Sequence, residues 1–494
     1  MNQYIAVDIG ASSGRLILSQ LEDGLITMKE VHRFKNGFAH RKGCDRWDVN
    51  YLVTEILKGL EKVKKQGVNA CYVGIDTWAV DYCLIDAQGQ LLELPIAYRD
   101  KRTEQAVSDF SKELSLERLY EKTGIQIQPF NTVFQLFVED EELLSRAEKL
   151  LLIPDYLGYV FTGKAVMEKS NASTMQMLNP GTQMWDLDIL SISGITPALF
   201  PPLVDAGTVL GPLKRAQFPA YDLPEATLIN VASHDTASAV VGTPGQGDTW
   251  AYISSGTWSL LGVETQMADV SQAAFRANYT NEWGACNTIR FLKNIMGMWL
   301  IQEVARNQEY RYSYAELAAL AARQPPFQQM IDINDDRFLN PLNMIEAIQA
   351  YCRETGQQAP VTPAELARCI YDNLALCYAK ELAHLCTLTG AKGLHKLHIV
   401  GGGSNNELLN QLTADLSGVE VESGPAEATA IGNIVMQMLC MDEFADLREA
   451  RAAIHRSFEC KRFVPRASDS RIMARYLEKL KSIKEKDGEY DENS

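Results

Sequence analysis

An apolar run, Tyr4-Ile5-Ala6-Val7, ends at Asp8, and a second follows the polar turn up to Leu21. Two apolar runs around a short turn of glycine and serine predict a β-hairpin over residues 4–9 and 15–21. Residues 72–76 and 82–86 read as two further strands. Between them and the hairpin, Leu52, Ile56 and Leu60 recur every four residues behind Asp48, which predicts a capped helix from Val49 to about Lys65. Segments 103–118 and 133–161 have helical patterning. The proline-rich stretch 196–204 breaks it and reads as a surface crossing. Residues 226–233 form an apolar strand that ends at His234-Asp235, with a helix of small residues starting at Thr236. The glycine-rich "GTPGQGDT" at 242–249 is the most linker-like stretch.

The pattern then restarts. Residues 250–265, "WAYISSGTWSLLGVET", repeat the strand, small polar turn and strand of residues 4–19. Thr362 and Pro363 open a long helix as cap and first helical residue. Residues 397–406 read as a strand and a triple-glycine turn, with a helix from about Glu407. Pro425 leads another helix to about Leu439. After residue 465 comes one more helix and the charged end "EKDGEYDENS", which is expected to fray.

A chain of 494 residues is too long for one ordinary core, so two domains are expected, divided at 242–249. Domain ranges of 1–245 and 246–465 follow, with residues 466–494 as a terminal helix and tail. The apolar fraction is 46% and the charged fraction 22%, both globular values. The start of the chain lacks the pattern of a signal peptide and no apolar run is long enough to span a membrane, so a cytoplasmic protein is expected. The net charge of −16 argues against nucleic-acid and anionic-membrane partners. An anionic ligand must then be held by local devices. The ten cysteines show no zinc spacing. Cys369, Cys377 and Cys386 read as helix packing. Cys352 and Cys369 are candidates for proximity, but not for a bridge in a reducing compartment.

Glycine lets backbone approach a ligand, and successive N–H groups in a tight turn make an anion nest. Ala11, Ser12, Ser13, Gly14 and Arg15, and residues 254–257 around Thr257, therefore read as two phosphate cradles. One alone is weak, since such hairpins also occur without ligands. Two, one opening each half, favour a nucleotide held between two domains. Neither a Walker sequence nor a GxGxxG after a strand is present. Asp8, at the end of the first strand, can hold a magnesium ion through water, or simply stabilise its own turn.

The segments "VDIGASSGR", "GIDTWAVDY", "AYRDKRT", "VASHDTASAV", "YISSGTWSLLG", "LKNIMGMWL" and "HIVGGGSNN" together resemble the FGGY carbohydrate kinases, in the same order from about residue 4 to 465. Among them the chain is most similar to the bacterial members that phosphorylate L-rhamnulose. The resemblance implies an α/β fold of the actin-like ATPase (ribonuclease H-like) type, with a nucleotide and sugar cleft between two domains that close on the substrate. The N-terminal domain would bind sugar and carry the catalytic base, and the C-terminal domain would bind the nucleotide. It implies transfer of the γ-phosphoryl group of ATP, with Mg2+, to the 1-hydroxyl of L-rhamnulose, giving L-rhamnulose 1-phosphate and ADP.

Asp235 is the expected base: it stands at a strand end and a helix start, where the helix dipole favours its anion. Read alone, it slightly favours a simple cap of that helix. The resemblance places His234, Thr236, Trp78, Ala79, Asp81 and Asn294 at the sugar, and Gln302, Gly401 and Thr257 at the nucleotide. Many of the similar members have glycine where this chain has Ala79, which adds a methyl group near the substrate. Arg15 is expected to neutralise phosphate, with a solvated hairpin arginine as the alternative, and Arg99 is a further candidate. Asn294 and Gln302 share one face if "NIMGMWLIQ" is helical. Two other functions stay open: a kinase of another ketose such as L-fuculose or xylulose, and a non-catalytic nucleotide switch of the actin or chaperone kind. The oligomeric state is not legible in the sequence.

Overall fold

The computed structural model describes residues 1–487 apart from 248, 392 and 468. These residues form two compact units. The first comprises Met1–Pro244, Glu264–Leu292 and Glu427–Phe458, and the second Gly245–Val263, Lys293–Ala426 and Glu459 onward. The strands Trp258–Thr265 and Ile289–Met296 carry the chain across this division.

In the first unit a six-stranded sheet runs in the order Thr208–Pro212, Glu225–Asn230, Ala70–Thr77, Tyr4–Ile9, Ser13–Glu22, Leu25–Lys35. The hairpin Tyr4–Ile9/Ser13–Glu22 is antiparallel, while Ala70–Thr77 lies parallel to both Tyr4–Ile9 and Glu225–Asn230. Side chains alternate across a strand with period two, and the first strand shows the consequence. Ile5, Val7 and Ile9 enter a core with Leu52, Ile56 and Leu60 of the Val49–Lys65 helix. Tyr4 and Ala6 enter a different core with Ala237, Val241, Ile431 and Ile434. Asp8 follows the second set, so it faces the side that carries helices Asp235–Val241 and Ala428–Cys440.

These two helices pack backbone to backbone. A Cβ on Gly242 would collide with the Ala428 carbonyl, and one on Gly432 with the Ser238 carbonyl. Small residues along both helices permit this approach, and it seats the helix that begins at Asp235.

The second unit repeats the layout. Trp258–Thr265, Trp250–Ser255, Lys396–Val400 and Glu420–Ser423 are neighbours in that order, the first pair antiparallel and the next two pairs parallel. The strand Lys461–Phe463 closes the edge. The long helix Pro363–Thr389, started by a capping box of Thr362 and Glu365, meets the Trp258–Thr265 strand through a Ser259–Tyr378 hydrogen bond of 2.6 Å. This duplicated α/β arrangement is that of the actin-like ATPases.

Several elements differ from their sequence reading. Segment 133–161 is broken by a strand, Lys149–Leu152, which pairs with Tyr82–Ile85. Its leucines fit either state, and the partner strand decides. Segment 103–118 is likewise split into short helices. Segment 294–302 is not one helix: its first residues belong to the strand Ile289–Met296, whose first half pairs with Thr280–Trp283, and the helix starts only at Trp299. Cys352 and Cys369 are buried free thiols near one another. Asp487 ends the Ser470–Asp487 helix, and residues 488–494 of the charged end lie outside the described residues, as does 248 of the linker. Among the described residues, no helix is long and apolar enough to cross a membrane.

Candidate active site

Three carboxylates come together at the carboxyl ends of three adjacent parallel strands. The register sets Asp8 beside Asp76 and Ile9 beside Thr77. Thr77 in turn bridges to His234, its amide donating to the Ser233 carbonyl at 2.9 Å. Asp235 follows directly. Ligands of open α/β sheets gather at such strand ends.

Asp8 is paired with Arg15 across the hairpin, Nε and Nη2 of the arginine donating to Oδ2 at 3.0 and 2.8 Å. Arg15 also pairs with Glu427. The arginine is thus tied on two sides, and its first partner is the carboxylate beside the turn. Asp76 is fully buried; Asn433 donates to its Oδ2 at 2.6 Å, while Oδ1 has no hydrogen-bond partner among the described residues. Burial, with Asp8 adding to it, pushes the Asp76 carboxyl well above the ordinary carboxylate range. No group of three His, Cys, Asp or Glu among the described residues is arranged to hold a metal directly. An orphaned buried carboxylate oxygen beside Asp8 nevertheless suits a hard, hydrated divalent cation.

The turn at residues 10–13 is tied down from behind. Asn36 Nδ2 donates to the Gly10 carbonyl at 2.8 Å, and the Asn36 amide to the Ser12 carbonyl at 2.9 Å. Both bonds engage carbonyls of the turn. Gly14 is a packing glycine, with the Phe34 ring where a Cβ would sit. The second turn has the same design. The Gly256 and Thr257 carbonyls accept from the amides of Met298 (3.0 Å), Gly297 (3.2 Å) and Trp299 (3.1 Å), at the start of helix Trp299–Asn307. Gln302 on that helix accepts from Thr257 Oγ1 at 3.4 Å. Asn294 lies on the preceding strand, so it and Gln302 do not share a helix face. Gly401 has φ +82 and lies against the Ser255 carbonyl, which a Cβ would approach to 2.8 Å; Gly402 is exposed with open space around it. Bare backbone for a ligand is therefore offered by Gly402, while Gly401 makes the turn possible.

Asp235 opens its helix with a side chain one-third exposed (34%). Thr236 Oγ1 lies 3.2 Å and His234 Nε2 3.4 Å from its Oδ1. Burial of its surroundings raises the Asp235 carboxyl above the ordinary 3.8; His234 opposes the shift and Asp8 adds to it. Residue 233 before this pair is anchored by Glu168, whose Oε2 accepts from the Ser233 amide and hydroxyl, both at 3.0 Å.

Asp81 is 1% exposed, and its oxygens take Trp47 Nε1 (2.6 Å), Trp78 Nε1 (2.9 Å), the Tyr98 amide (3.1 Å) and Gln135 Nε2 (3.2 Å). Burial still raises its pKa to about 6 against these donors. It holds Trp78 in place, with both of its oxygens already engaged by these donors. Trp78 is itself buried, 4.2 Å from Trp47 between ring centroids. Ala79 is half-buried and starts a tight turn: the Asp81 amide donates to its carbonyl at 2.9 Å, and Val80 has φ +67, a strained value for a β-branched residue. Thr132 and Gln135 fasten the Val80 carbonyl. Arg99 is exposed over the Tyr98 ring.

Asn36, Glu168, Asn433 and Gly402 were not singled out by sequence. The first three act through partners distant in the chain, and the "GGG" run marked the fourth.

The model of the FGGY family of carbohydrate kinases matches in two parts, its N-terminal domain over residues 3–242 and its C-terminal domain over residues 251–441. The chain is 64% identical to a rhamnulokinase of Enterococcus faecalis, over 96% of each protein. It is 52% identical to a rhamnulokinase of Bacillus subtilis, over 94% of this chain and 96% of that one. Among solved structures it is similar to a ligand-bound xylulose kinase from Lactobacillus acidophilus, with TM-score 0.78, 16% identity and 98% of each chain covered. A Plasmodium falciparum glycerol kinase with ADP matches at TM-score 0.77 and 17% identity, again over 98% of each chain. The paired turns, the carboxylates at the strand ends and these matches agree, and the chain belongs to the FGGY family of carbohydrate kinases.

Proposed function

We propose that this protein is an ATP-dependent kinase of L-rhamnulose that phosphorylates the 1-hydroxyl and releases ADP. The observation that carries the reading is Asp235, an open carboxylate at a helix N-terminus among buried acids. The choice of sugar rests on the high identity to rhamnulokinases over nearly the whole chain.

Asp235 accepts the proton of the 1-hydroxyl as that oxygen bonds to the γ-phosphorus and the bond from phosphorus to the ADP oxygen breaks. The proton then leaves to solvent. His234 and Thr236 hold one oxygen of the base, and the Trp78–Ala79 turn forms sugar-binding wall. The amides of Ala11 and Ser12, the Ser12 and Ser13 hydroxyls and Arg15 receive phosphate oxygens. Thr257, with Gln302 behind it, and the glycines at 401–402 serve the nucleotide, and Asn294 serves the sugar. Asp8 would hold Mg2+ through water, with Asp76 beside it. The chemistry that ion supplies when bound is neutralisation of phosphate charge. Its dependence on ATP supports a place in the cytoplasm.

The test is ADP release with MgATP and a panel of ketoses. Turnover on L-rhamnulose well above L-fuculose and xylulose, with phosphorus NMR placing the phosphate on the first carbon, is expected. Preference for another ketose overturns the sugar, and ADP release independent of any sugar overturns the kinase.

A further inference from the structure

The His234 ring is held between charged groups. Its Nε2 is 3.4 Å from Asp235 Oδ1, while its Nδ1 is 3.3 Å from Glu282 Oε2 and 3.3 Å from Arg290 Nη2. Glu282 and Arg290 are directly opposed in the antiparallel pairing of Thr280–Trp283 with the strand Ile289–Met296, a register that brings their side chains together. Their ion pair measures 2.9 Å, and the arginine side chain is wholly buried. Arg290 Nε also donates to the Trp283 carbonyl at 3.2 Å.

A buried ion pair is a poor device for stability, because two charges must leave water. This one has a third partner, and that partner ends on the proposed base. We propose that Glu282, with Arg290 as its counter-charge, is a positioning residue for Asp235, acting through the His234 ring. The inference rests on the reading of Asp235 as the base.

Two features make the arrangement directional. The backbone before the ring is fixed by Glu168 and by the Thr77–Ser233 bond, so Glu282 and Arg290 control what freedom the ring retains. Thr236 and His234 both meet Oδ1 of Asp235. That assigns Oδ1 to the protein and Oδ2 to the acceptor hydroxyl. An unrestrained ring lets the carboxylate turn, and small misplacements of a reacting group are costly. The order of orienting acid, ring and reactive side chain is a general way to fix an active group. Contacts of 3.3–3.4 Å are loose and are expected to tighten with substrate bound.

Glu282→Gln alone strands a buried arginine, so the informative variant is Glu282→Gln/Arg290→Met, which removes both charges. With thermal unfolding intact, kcat on L-rhamnulose should fall roughly 10- to 100-fold, while KM for MgATP stays within about twofold. Glu282→Asp, which keeps the charge, should recover part of the loss. The wild-type protein gives a second readout that does not depend on the double variant. In 15N-histidine spectra, with His234 assigned by its absence in His234→Gln, both ring nitrogens should be hydrogen-bonded and protected from exchange. A ring in fast exchange with water overturns the proposal. So does a double variant with wild-type kcat while Asp235→Asn is inactive; that result leaves the base standing. An active Asp235→Asn would instead remove the base reading itself.

Discussion

Asn433 donates to Asp76 Oδ2 at 2.6 Å, across 357 positions of sequence. This bond ties the end of the Ala70–Thr77 strand to the Ala428–Cys440 helix. Gln437, one turn on, donates to both Asn433 Oδ1 (2.7 Å) and the Ile5 carbonyl (2.9 Å). The absence of a side chain at Gly74 makes room for both amides. Asn433→Leu removes the donor and leaves the buried acid with none. A loss of about 1–3 kcal/mol is expected, read from urea unfolding without ligands. An unchanged midpoint at unchanged slope would show that the bond contributes nothing.

The pH dependence follows from Asp235. A base must be ionised, and its surroundings raise its pKa above the ordinary 3.8. Activity is therefore lost as pH falls through that raised value. The acid limb of kcat/KM, which reports the free enzyme, should lie above pH 3.8 and should be absent from residual turnover by Asp235→Asn.

Gly432 tests how the base is seated. Its added Cβ in Gly432→Ala would collide with the Ser238 carbonyl of the Asp235 helix. Overpacking of this kind costs about 1–3 kcal/mol. The expected result is a lower Tm together with a lower kcat, because the helix that carries Asp235 must shift. A variant with wild-type Tm would show that the two helices have slack.

The two turns should matter to the nucleotide and not to the sugar. Asn36→Ala frees the Gly10 carbonyl, and Thr257→Val removes the hydroxyl that meets Gln302. Each is expected to raise KM for MgATP by about tenfold, roughly 1.4 kcal/mol, with KM for the ketose little changed. A rise in the ketose KM alone would contradict the assignment of the turns.

The sequence revealed what is local. Both turns sit where an apolar run meets glycine and serine, and Asp235 marks the junction of a strand and a helix of small residues. The Val49–Lys65 helix was legible from its cap and four-residue spacing, and the Pro363–Thr389 helix from its cap and first-turn proline. What pairing decides was hidden. The leucines of Lys149–Leu152 fit helix or strand until Tyr82–Ile85 is beside them. The condition that 294–302 be helical fails for the same reason, since Asn294 belongs to the strand Ile289–Met296 and Gln302 to the helix Trp299–Asn307. Asp81 looks like a free acceptor in "WAVD", but its donors Trp47, Tyr98 and Gln135 come from three other segments. Glu282 and Arg290 carry no local signal, since only the strand register sets them opposite each other.

The central claim is that Asp235 takes the proton of a ketose hydroxyl. The most direct measurement is ADP release from MgATP with and without L-rhamnulose, wild type beside Asp235→Asn, with nucleotide binding measured on both. The account predicts sugar-dependent turnover in the wild type and a loss of about 10²–10⁴-fold or more in the variant, with nucleotide affinity retained. Equal ADP release by both proteins, with or without sugar, would contradict it.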